Sequence, residues 1–271
     1  MPQWQSPQGR EHADLGQIID LRSGTHLTPE QLVTRLATAP RVLVGEQHDN
    51  PDHHALQLWL LGALEARRPQ GSLLLEMLAA SQQPQVDDVK QQLREGLQIA
   101  DLPKALEWSN GWPWALYGPI VHHGLAQDYP LRAANLDRAE IMAIYRQQPL
   151  LRGKASTATA VQEPLLAQIR ESHCDKLPIS QLPAMLAVQQ QRDRRMAEQL
   201  LQAPLPAMLL AGAYHVRQDL GVPLHLRDLG APSSTQVLIL SEVGKPVTAE
   251  QADYVWYTAA LPPEDHCAQF R

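Results

Sequence analysis

The sequence predicts an α/β fold: a mainly parallel sheet flanked by helices, with a helical insertion or cap subdomain. Three observations predict it. Short apolar runs of strand length recur along the 271 residues. Helical patterns separate most of them, which is the grammar of parallel βαβ units. The runs are apolar on both faces rather than alternating, as strands covered by helices on each side must be.

Residues 1–17 are polar and rich in Pro and Gln, and read as an N-terminal tether. The domain runs from 18 to 271. Ile18–Gly24 adds an edge strand. Thr28 starts a helix over 28–37, with Pro29 at the first position and Gln31 at the capping-box position. Arg41–Gly45 is a buried strand. Asn50-Pro51 opens a helix to about Arg68. Ser72–Met77 is the next strand and a helix follows at about 84–95. Residues 101–128 form a helical insertion carrying Trp108, Trp112 and Trp114, half of the six tryptophans. Further strands fall at 130–136, 206–212, 235–242 and 253–259. Between the first two of these, residues 155–202 hold two helices, roughly 157–172 and 180–201.

Composition excludes several classes. Net charge is −6 and no stretch is densely basic, so no nucleic-acid partner is expected. No apolar run reaches membrane-spanning length. Two cysteines, Cys174 and Cys267, lie far apart and form no CxxC motif; inert thiols and a pair both remain open. No HExxH motif is present.

Ligands bind at the carboxyl ends of parallel strands. There the sequence places Glu46 and His48, then Glu76, then Tyr214, His215 and Arg217. Gly45 and Gly212 each stand three residues before a histidine, His48 and His215. A carboxylate directly after three leucines, as Glu76 is, is costly unless paired, and favours a functional role. His53 and His54 diverge by about 100° on a helix, so at most one faces the site; surface or packing roles suit each. Asp137 reads as a helix cap.

GEQHDNPDHH, LLLEM, GWPWALYGPI, AANLDR and AGAYHVRQDLGVP together resemble the ChaN-like family of haem-binding proteins, within the erythromycin-esterase/ChaN/Tiki superfamily. The resemblance covers about residues 18–226. It implies a protein of bacterial haem and iron acquisition that binds ferric haem b through a tyrosine at a homodimer interface. It implies further a Gram-negative lipoprotein, periplasmic or outer-membrane-anchored, whose leader has been removed from this chain, and which works beside the outer-membrane haem uptake machinery. A phenolate is a hard anionic donor suited to ferric haem; a tyrosine's intrinsic pKa is about 10, and the iron and a nearby cation would lower it. Propionates call for Arg, Lys or His, and the porphyrin face for large apolar surface.

Tyr214 is the positional favourite as iron ligand, with Tyr117 behind it. His215, Arg217, His54 and Trp112 complete the expected cofactor contacts. The alternative is a hydrolase in which Glu46, His48, Glu76 and His215 hold a divalent metal ion or act as acid and base.

Overall fold

The computed structural model describes residues 1–232, 234–265, 267 and 268. The last residues of the domain expected over 18–271 therefore lie outside the described ones. Eight strands form one sheet: β1 (Ile18–Asp20), β2 (Thr25–Leu27), β3 (Arg41–Glu46), β4 (Ser72–Ala79), β5 (Leu131–Asn135), β6 (Ala207–Gly212), β7 (Thr235–Glu242) and β8 (Tyr254–Thr258). Their order is β2-β1-β8-β7-β3-β6-β4-β5. The six strands from β8 to β5 are parallel, and β1 joins β8 and β2 antiparallel. The edge strand expected at 18–24 is thus a hairpin over 18–27.

Ten helices are described: α1 (Pro29–Leu36), α2 (Pro51–Glu65), α3 (Gln83–Arg94), α4 (Leu102–Ala105), α5 (Trp114–Ala126), α6 (Arg138–Gln147), α7 (Thr159–Ser172), α8 (Leu182–Gln202), α9 (Ala213–Val216) and α10 (Val222–Asp228). Their starts follow local chemistry. Thr28 accepts from the Gln31 N–H while the Gln31 side chain accepts from the Thr28 N–H, a full capping box. Asn50 accepts from the Asp52 N–H and Pro51 takes the first position of α2. Asp137 stands at the N-cap of α6, where Glu140 accepts from its N–H.

The central strands feed two cores. Val42, Val44, Leu73, Leu75, Met208 and Leu210 pack on one face against helices α1, α2, α3 and α5. Leu43, Leu74, Leu209 and Ala211 pack on the other with residues of α8, α9 and α10. This two-residue alternation explains why the strands read as unbroken apolar runs. A third cluster joins α7, the start of α8 and α10 through Leu165, Ile169, Leu182, Leu186 and Leu224, forming a helical cap beside the strand ends.

Residues 1–17, expected as a flexible tether, instead lie along the domain. The Gln5 and Ser6 N–H groups both donate to the Asp52 carboxylate, at 2.5 and 3.0 Å. Ser6 is buried, and Gln8 pairs with Ala260. Polar composition misleads here because the segment is held by its backbone, not by apolar side chains. The Trp-rich insertion is less helical than expected: residues 106–113 form a loop between α4 and α5, with the Trp108 indole N–H donating to the Trp112 carbonyl at 2.7 Å. Cys174 and Cys267 form a disulfide, with Cα atoms 5.6 Å apart.

Candidate haem site and its polar floor

Parallel pairing in register brings the carboxyl ends of β3 and β6 together, Glu46 beside Gly212. The polar residues that follow them therefore meet. Gly45 tolerates no side chain, since a Cβ there would collide with Val216 and Ala213 of α9. Gly212 is tight for a different reason: a Cβ would stand 2.8 Å from Cε1 of His48, so the imidazole rests directly on the backbone and would have to move for any side chain there.

Two charge groups result. In the first, His48 Nδ1 lies 2.6 Å from Oε1 of the fully buried Glu46. An ionised carboxylate only accepts, so Nδ1 carries the proton and Nε2 is left for the cleft. The Tyr117 hydroxyl donates to the same oxygen at 3.2 Å, and the Trp112 ring stands edge-on to His48 at 4.8 Å. Burial pulls the His48 pKa down, but the hydrogen bond to Glu46 and the charges of Glu46 and Glu76 outweigh it and raise it.

In the second, His215 lies between two buried carboxylates, with Nδ1 2.5 Å from Asp193 and Nε2 3.2 Å from Glu76. Burial opposes its charge, yet Glu76 and Asp193 push its pKa up to about 10. It is an imidazolium at neutral pH. Glu76 responds in the opposite sense: burial raises it, but His215, His48 and the Gly212 N–H at 2.8 Å draw it down to about 2. Asp193, on α8, has no forewarning in the sequence. It sits within an exposed-looking QRDRR run, and only the packing of α8 onto α10 and the sheet turns it inward.

Above this floor lies an open cleft of about 680 Å³. Its walls come from the ends of β3, β6 and β7, the loop after β7, and Gln168 and Glu171 of α7. Tyr214 lines it and is 43 % exposed. Among the described residues its hydroxyl takes no hydrogen-bond partner, so the phenol oxygen is open to an incoming ligand. The Arg217 guanidinium stands 5.5 Å from the Tyr214 ring centroid.

Three expected cofactor contacts are corrected. Tyr117 is 1 % exposed; burial and Glu46 hold its proton firmly, so it is no phenolate donor to a ligand in the cleft. His54 is buried, with Nε2 on the His48 carbonyl at 3.0 Å and its ring against Tyr117 at 4.4 Å. Trp112 packs behind His48 and against Tyr117 rather than beside Tyr214. His53 is likewise buried: Nδ1 accepts from the Gln47 N–H, and Nε2 meets Thr258. The divalent-metal alternative finds no ligand set among the described residues, because no three His, Cys, Asp or Glu side chains are placed to hold an ion.

A family model described as haem-binding uptake, Tiki superfamily, ChaN, matches residues 32–226. The chain belongs to the ChaN family. The solved ChaN of Campylobacter jejuni, described by its cofacial haem binding, is 30 % identical; the similarity covers 94 % of this chain and 98 % of that one, with a TM-score of 0.83. Looser likenesses include the erythromycin esterase EreC (14 % identity, 89 % of this chain and 81 % of that one, TM-score 0.48). Another is the RRSP effector domain of a Vibrio vulnificus toxin (14 % identity, 89 % and 39 %, TM-score 0.45). No curated protein matches the sequence. Membership of a haem-binding family favours the haem-binding reading of the sequence over the hydrolase one.

Proposed function

We propose that this ChaN-like chain captures ferric haem b for bacterial haem or iron acquisition, with Tyr214 as the iron ligand. One observation carries the assignment: of the two candidate tyrosines, only Tyr214 presents an exposed, unpartnered phenol to the cleft, whereas Tyr117 is sealed under Trp112 and bound to Glu46. A phenolate supplies ferric haem with a hard anionic axial donor. Pro246 and Val247 line the same cleft and offer apolar surface to a porphyrin face.

An exposed tyrosine leaves one haem face uncovered by this chain. A second copy would cover it, which supports haem binding at a homodimer interface. The Cys174–Cys267 disulfide supports an oxidising compartment, in keeping with a periplasmic or outer-membrane-anchored lipoprotein beside the haem uptake machinery.

The test is Tyr214→Phe. It removes the donor oxygen alone, so hemin affinity should fall about tenfold or more, and the visible bands of phenolate-ligated ferric haem should vanish. Wild-type affinity and spectrum in the variant would refute the assignment.

A further inference from the structure

Haem carries two carboxylates, which call for Arg, Lys or His, and Arg217, His215 and His54 were the basic residues among the expected cofactor contacts. The geometry points elsewhere: we propose that Lys245 is the propionate anchor of the cleft. This rests on the reading of the cleft as a haem site.

Arg217 is already engaged. Its Nε and Nη2 donate to the two Asp219 oxygens at 2.9 and 2.6 Å, a bidentate pair, while the guanidinium stands near the Tyr214 ring. Arg217 also lines the cleft, but its side chain is only 19 % exposed and is turned to Asp219 and the Tyr214 ring. Lys245 lines the cleft with its side chain 60 % exposed. Its ammonium has three N–H groups; one meets Glu242 Oε2 at 2.7 Å and one donates to Gln47 at 2.9 Å, leaving a third.

The Glu242 partnership is also one that can be shared. Glu242 is 4 % exposed, and its other oxygen accepts from the Asn50 amide at 2.8 Å and the Leu261 N–H at 2.9 Å. The carboxylate stays hydrogen-bonded when Lys245 swings toward a second anion. Glu242 thereby places the ammonium at the rim without neutralising it in a closed pair.

Placement agrees. Gly212, two residues before Tyr214, ends β6, and Glu242 ends β7, with β3 alone between them. Two strand spacings set β6 and β7 about 10 Å apart, and Tyr214 and Lys245 line the same cleft. A haem ligated by Tyr214 would therefore lie over the strand ends next to the loop that carries Lys245.

The experiment compares hemin with hemin dimethyl ester, in the same detergent-containing buffer, on the wild-type chain and on Lys245→Met. Methionine keeps the apolar length and removes the charge. Hemin should bind the variant about tenfold more weakly, a change of about 1.4 kcal/mol. The ester should bind both proteins equally, and at about the strength of hemin on the variant. A structural role for Lys245, acting through Glu242, would weaken hemin and ester alike, and that result overturns the proposal. So does a variant that binds hemin as the wild type does. A wild-type chain with no saturable hemin binding would instead remove the haem reading itself.

Discussion

Asp193→Asn tests the buried charge group beneath the cleft. His215 titrates near 10 in the folded chain against an ordinary value of 6.5. A raised histidine pKa stabilises the fold fully below pH 6.5, and that contribution is lost as pH climbs through about 10. Three and a half units, at about 1.4 kcal/mol each, make the protonated ring worth about 5 kcal/mol at pH 6. Glu76 and Asp193 share this. Asparagine keeps the size of Asp193 and removes its charge, so about 2 kcal/mol should go, or about 4 °C in Tm for a chain of this length. At pH 9.5 about a fifth of the contribution remains, and the deficit should shrink below about 1 kcal/mol. Urea unfolding of both proteins at the two pH values measures it. A deficit that is absent at pH 6, or equal at both pH values, would refute the imidazolium account.

His48→Ala should leave hemin binding largely intact, because the proposed iron ligand is Tyr214 and the His48 ring is fixed through Nδ1 to Glu46; a lost haem spectrum in a folded variant would contradict this. In Gly212→Ala, the new Cβ would press on His48, whose half-exposed ring would swing out and break its pair with Glu46. Stability should drop by about 1–3 kcal/mol, and the raised His48 pKa should fall toward its ordinary range by NMR titration; an unchanged titration would count against the packing described. Replacing both Cys174 and Cys267 by serine opens a closure of 93 residues. Denaturant unfolding under oxidising conditions should show a loss of about 2–4 kcal/mol, and equal stability would show that the disulfide does not constrain the unfolded chain.

The strands and their ends were legible because parallel strands between two helix layers must be apolar throughout, so the first polar residue marks the site. Glu46, His48, Glu76 and His215 announce themselves in that way. Asp193 does not: it lies on a polar helix whose inward face is set by tertiary packing, not by its own period. The role of Tyr117 was equally hidden. Tyrosine in a Trp-rich stretch suits a lid as well as a wall, and only the loop over 106–113 seals it beneath Trp112. The N-terminal segment misled because the two N–H groups that bind Asp52 belong to the backbone, which leaves no trace in residue type. Lys245 sits in a short loop with nothing in sequence to tie it to Tyr214, with which it shares a cleft only through the strand order.

The central claim is haem capture, and hemin titration of the purified chain, followed by absorbance and size-exclusion chromatography, tests it most directly. The account predicts a saturable phenolate-type ferric spectrum with a shift from monomer to dimer. Weak, non-saturating binding without a change in size would contradict it.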